Sequence, residues 1–216
     1  TILYSVSIQA SHNAGGEIHY EYISSSGGTH KYKITLRLYR DNTGILLPSS
    51  TNITACSASY GSVNASLNEV GSTGGIGIAT PSYFDCVSSS NAGLAINVVT
   101  YDGEITLPGN APDWTFTFQT CCRNPAVTNI INPSSQGFLI EAHLNNMYGQ
   151  NNSPIFITEG VRAFCIGNTF NWQHSTIEPD GDSLFYRMSN IKDGSCSSVI
   201  NIPFVAGKSY NQPITT

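Results

Sequence analysis

The chain runs to 216 residues, room for one large β-sandwich or for two smaller modules with a core each. Only 11% of the residues are charged, against about 25% in typical soluble domains. With a net charge of -5 and no Lys/Arg cluster, electrostatic binding to nucleic acid or to an anionic membrane surface is disfavoured. Eleven Tyr, nine Phe and two Trp supply enough aromatic surface for a packed core and argue against disorder.

Residues 1–10, TILYSVSIQA, read in one of two ways. They are either the end of a signal peptide's apolar region, cleaved near Ala10–Ser11, or a first strand with Ile2, Tyr4, Val6 and Ile8 alternating. Glu17 to Ile23 reads as a strand and Ser24 to Thr29 as a hairpin turn. Lys31 to Arg40 follows as a strand with Tyr32, Ile34, Leu36 and Leu38 on one face and Lys33, Thr35, Arg37 and Tyr39 on the other. Gly71 to Gly77 and Ser88 to Gly93 have loop composition. Further strands are expected at Leu94 to Tyr101, Glu104 to Leu107, Asp113 to Gln119 and Gly137 to Leu144. In the third of these, Trp114, Phe116 and Phe118 share a face.

The polar run Asn145 to Pro154 reads as a linker and sets a boundary near Asn151. Beyond it, strands are expected at Ile155 to Ile157, Arg162 to Cys165, Phe170 to His174 and Leu184 to Met188. No amphipathic helix is evident, and no stretch is long enough to span a membrane. The expected fold is therefore all-β. Residues 11–150 would form an antiparallel β-sandwich, and residues 151–216 the start of a second Ig-, cadherin- or PKD-like sandwich truncated at Thr216.

The six cysteines are Cys56, Cys86, Cys121, Cys122, Cys165 and Cys196, none in C-x-x-C spacing. An even count in a low-charge chain favours disulfides and export, with fifteen connectivities open. Adjacent Cys121 and Cys122 on a strand would face opposite sides and bond to different partners.

The sharpest local feature is Glu178-Pro179-Asp180-Gly181-Asp182. Three carboxylates this close repel one another, so the segment reads either as an ordinary acidic turn or as oxygen ligands for Ca²⁺. Zinc is disfavoured because His174 is the only nitrogen ligand nearby. No H-E-x-x-H, G-x-S-x-G or phosphate-cradling loop occurs, which argues against an enzyme. His143, between Ala142 and Leu144, is expected to face solvent or bond across a sheet. Trp114 and Trp172 read first as core; on an open face they would instead form a carbohydrate platform.

Several runs, taken in order, resemble the N-terminal region of very large Bacteroidetes surface proteins. They are Ala10 to Glu17, Tyr32 to Asp41, Trp114 to Asn124, Ala126 to Ile130, Asn152 to Phe156, Phe164 to Gly167 and Asp180 to Leu184. The resemblance is to gliding-motility adhesins with PKD-like or cadherin-like repeats, exported by type IX secretion. It implies a secreted, non-catalytic cell-surface adhesin or surface-filament module. Its partners would be a surface polysaccharide or another extracellular ligand and further β repeats of the same chain, with no membrane insertion by this segment. Asn151 to Phe156 is also similar to a cadherin linker, and Asp180-Gly181-Asp182 to the paired aspartates of the following repeat. That likeness nominates Asn152, Asp180 and Asp182 as Ca²⁺ ligands, with Asn151 and Glu178 beside them. The family's cysteines near Asn42 and Gln150 are both missing here. An accessory domain of a secreted hydrolase and a carbohydrate-binding module are the alternatives.

Overall fold

The computed structural model describes residues 13–41, 44–72, 76–77, 95–158, 160, 171 and 173–214. These carry β1 (Asn13–Ser26), β2 (Thr29–Asp41), β3 (Ser50–Ser57), β4 (Gly61–Ser72), β5 (Ile76–Gly77), β6 (Ala95–Leu107), β7 (Trp114–Cys121) and β8 (Gly137–Leu144). Four short strands follow: β9 (Ile155–Phe156), β10 (Thr176–Ile177), β11 (Lys192–Ser195) and β12 (Ser198–Asn201). The only helical turn among the described residues is a 3₁₀ turn, Pro133–Ser135. The protein is all-β, as its periodicity predicts.

One antiparallel sheet dominates, in the order β1-β2-β6-β4-β3-β7-β8, with β5 beside β6. It curls into a half-barrel whose concave side holds the core. The curl brings the two outer strands near each other, and the Tyr20 hydroxyl of β1 donates to the His143 carbonyl of β8 at 2.9 Å.

The β1–β2 hairpin turns on Gly27 and Gly28, both at positive φ (58° and 84°), as a two-residue turn of this hand requires. Tyr32, Ile34, Leu36 and Leu38 of β2 are buried, as are Trp114, Phe116 and Phe118 of β7. Trp114 is wholly enclosed: its indole N–H donates to the Gly109 carbonyl at 3.1 Å, and Tyr60 stacks on it at 5.7 Å between centroids. The carbohydrate-platform reading therefore fails for Trp114; Trp172 lies outside the described residues.

Several strand assignments differ from the sequence reading, β3 and β4 among them, for which no strand is expected. The two strands expected on either side of Asp102–Gly103 are one, β6. Gly103 sits under β4, where a Cβ would lie 2.6 Å from both the Leu67 side chain and the Ser66 carbonyl, so it serves close packing and not a turn. Residues 71–72 and 76–77, read as loop, belong to β4 and β5. Leu184 to Met188, apolar except for Arg187, forms no strand and leaves Phe185 87% exposed. The expected elements at residues 1–10, Ser88 to Gly93 and Arg162 to Cys165 lie outside the described residues, as do Phe170 and Trp172; Asn171, Gln173 and His174 are not in a strand.

Past Asn151, the strands among the described residues form two small ribbons, β9–β10 and β11–β12. The later ribbon is fastened to the first sheet. A disulfide joins Cys56 on β3 to Cys196. Lys192 pairs with Glu141 of β8, the Asp193 carboxylate accepts the Gly137 N–H at 2.7 Å, and Arg123 donates to the Lys192 carbonyl at 2.9 Å. Ile131 N–H bonds Pro203 O, and Val205 N–H bonds Asn129 O. The expectation of different partners for Cys121 and Cys122 also fails, because the two are bonded to each other across a cis peptide. Because β7 ends at Cys121, the alternation that holds within a strand does not govern Cys122. Cys86 and Cys165 lie outside the described residues.

Candidate functional site at the docked linker

The end of the polar run, Asn152 to Pro154, is bonded along the outer edge of β1. Ser153 N–H donates to Tyr20 O at 2.9 Å, and Tyr20 N–H donates to Ser153 Oγ at 2.9 Å. Tyr22 N–H donates to Asn152 Oδ1 at 2.7 Å. His19 Nδ1 lies 3.0 Å from the Pro154 carbonyl, which can only accept, so Nδ1 carries a proton. Side-chain oxygens thus supply rungs of the ladder along a run that ends in Pro154, a residue without an N–H. Asn146, upstream, is buried and accepts the Ala111 N–H at 2.8 Å. Polarity here serves docking, although from sequence it is indistinguishable from solvated linker composition.

Asn152 connects this edge to the acidic turn. Its backbone N–H and its amide Nδ2 donate to the two carboxylate oxygens of Asp180, at 2.6 and 2.7 Å. Glu178 turns inward on its own loop and accepts the Asp182 N–H at 2.7 Å. Asn151 points the other way, with its Nδ2 3.4 Å from Asn145 O. The structure thus brings together Asn152 with Asp180, and Glu178 with Asp182, and sets Asn151 apart. Among the described residues, no three His, Cys, Asp or Glu side chains converge as a metal-holding group.

A second cluster, not singled out from sequence, lies beside the docked segment on the outer faces of β1 and β2. Glu17 is buried and accepts from Arg37 Nη1 at 2.7 Å and from the Tyr39 hydroxyl at 3.0 Å, with His19 Nε2 3.5 Å away. Burial by itself would raise the Glu17 pKa, but His19, Arg37 and Tyr39 outweigh it and hold the carboxyl below its ordinary value. Burial, then the Glu17 charge, pushes the Tyr39 phenol up to about 12. The available signal is the alternation that puts Glu17 and His19 of β1 on the same outward face as Thr35, Arg37 and Tyr39 of β2, with Glu17 opposite Arg37 and His19 opposite Thr35.

Stability should accordingly depend on pH through Glu17. Its folded pKa is depressed, so its contribution is complete above the ordinary glutamate value of about 4.3 and is lost as pH falls through the lower folded value. Glu17→Gln should be less stable than the parent at pH 7, and urea unfolding at a series of pH values should show the gap closing below about pH 4. A gap that does not change with pH would mean the carboxylate contributes no charge-dependent stability.

Two depressions flank these features. One of ≈ 350 Å³ lies over the β1–β2 outer face, walled by Asn152, Ser153, Ile155 and Pro179. The other, of ≈ 510 Å³, lies between Gly15–Gly16 and β8 beside the 187–192 segment. His143 at its rim is exposed and bonds across to Thr115 at 3.0 Å, as its position in the alternation predicts. No protein-family sequence model, curated protein or solved structure is significantly similar to this chain.

Proposed function

We propose that this chain is a non-catalytic module of a secreted, cell-surface adhesin or surface filament. It would hold its neighbours at fixed spacing and present a face to a surface polysaccharide or other extracellular ligand. The single observation that carries this reading is the docked linker: Asn152 bonds β1 with its side-chain oxygen and Asp180 with both of its donors, which makes a rigid joint from a polar tether. The Cys56–Cys196 disulfide, closing a span of 140 residues, supports the same mechanical role and fits an oxidising compartment.

Calcium would reinforce the joint. The carboxylates of Asp180, Asp182 and Glu178 and the Asn152 amide oxygen are donors of the kind a hard cation prefers, while Asn151, turned toward Asn145, would have to swing round to join them. Each donor retains lone pairs beyond the hydrogen bonds it accepts. Calcium at about a hundred times its dissociation constant should add about 2.7 kcal/mol, read as a rise in melting temperature that chelator reverses. Asp180→Asn combined with Asp182→Asn should abolish the rise. Identical melting with calcium and with chelator would remove calcium from the mechanism.

A further inference from the structure

The ≈ 350 Å³ cavity over β1 and β2 has a floor built of complementary charge, and its chemistry narrows what it can hold. Its floor is the outward face of a hairpin, with Glu21 directly opposite Lys33 and Arg37 opposite Glu17. The cations are already answered. Lys33 pairs with Asp102 at 2.8 Å, and Arg37 pairs with Glu17 at 2.7 Å. Thr35 donates its hydroxyl to Asp102 at 2.7 Å. The Glu21 carboxylate, which feels the charge of Lys33, accepts no hydrogen bond from a described residue.

A strongly charged ligand fits such a floor poorly. An anion meets Glu21 and the carboxylates behind the cations; a cation meets Lys33 and Arg37. What remains is unfilled hydrogen-bonding capacity of both kinds, side by side. The lysine and guanidinium keep spare N–H donors, and Glu21 and the Thr35 oxygen keep acceptor positions. Cross-strand neighbours sit about 4.5–5.5 Å apart, a spacing that neighbouring hydroxyls on one ring can bridge, each both donating and accepting. On the other side, Ile155 and Pro179 offer an apolar wall suited to the C–H face of such a ring. The volume falls in the range of small-molecule sites, about 300–1,000 Å³.

We propose that this cavity is a binding site for an uncharged, hydroxyl-rich ligand, a short saccharide. Glu21 and Lys33 bind its hydroxyls, and Ile155 and Pro179 pack on its apolar face. The placement of such a site on an adhesin rests on the function proposed above; the cavity's chemistry does not.

The test is calorimetric titration of the intact chain with four neutral disaccharides: maltose, cellobiose, lactose and diacetylchitobiose. Digalacturonate and putrescine serve as the anionic and cationic controls. At least one neutral disaccharide should bind saturably and the two controls should not. Glu21→Ala and Lys33→Ala, both at solvent-accessible side chains, should each weaken binding about tenfold or more. Ile155→Trp, which fills the cavity, should abolish it, and unchanged melting curves would confirm that all three variants fold. Failure of all four disaccharides to bind, binding untouched by the three variants, or binding of the charged controls alone would overturn the assignment. The calcium-dependent melting shift reads the adhesive module separately, so a failed cavity with an intact shift sinks this inference and leaves that reading standing.

Discussion

Trp114→Ala should destabilise the protein by about 3–5 kcal/mol, the range for truncating a large buried aromatic. The side chain is wholly enclosed, so the lost transfer energy is joined by the energy of an unfilled cavity. Tyr60 would lose its stacked partner, and the Gly109 carbonyl its donor. Trp114→Phe keeps most of the packing and removes the N–H, so its cost should be clearly smaller. Urea unfolding should show midpoints falling in the order parent, Phe variant, Ala variant, with the slope unchanged. An alanine variant within about 1 kcal/mol of the parent would mean the region of β7 around Trp114 does not anchor the core. The same experiment separates two readings of an aromatic strand: a buried tryptophan is paid back in stability, a platform tryptophan in ligand affinity.

The second large effect concerns the Cys56–Cys196 bridge. Replacing both cysteines by serine should cost about 2–4 kcal/mol, through the freedom regained by the unfolded chain across a long loop. The folded segment should loosen locally as well. Lys192–Glu141 and Asp193–Gly137 still hold the segment to β8, and the bonds of Ile131 and Val205 hold it to the β7–β8 connection, so it should open more often without detaching. Limited proteolysis with mass spectrometry should place new cleavage sites between residues 184 and 201 in the variant, while β1–β8 stay protected. Equal melting temperatures and identical digestion patterns would show that the non-covalent contacts suffice.

How much of this was legible beforehand depends on what each residue was asked to report. In β2 and β7 the alternation is unbroken by polar intrusions, and Tyr32 to Leu38 and Trp114 to Phe118 face the core as the pattern predicts. β3 and β4 were missed because STNITACS and GSVNASLN bury only Ile53, Ala55, Ser57 and Leu67, which leaves too faint a period amid Ser and Asn. Gly103 misled because glycine marks both turns and close packing, and only the facing strand tells which. The contact of Asn152 with Asp180 spans 28 residues and is carried in the sequence only by the likeness to cadherin linkers. The Glu17 cluster was overlooked for a different reason: polar residues on the outward face of a strand read as solvated until something covers them.

Covering has a further effect on how such a protein behaves in bulk. An open sheet ends in strands whose unpaired N–H and C=O groups invite the same groups on another molecule, the usual start of sideways aggregation. At Tyr20 and Tyr22 of β1 those groups are occupied by Ser153 and Asn152 of the same chain, two of the three rungs are made by side-chain oxygens, and the run ends in proline. That stretch of β1 is thereby closed to a strand of a second molecule.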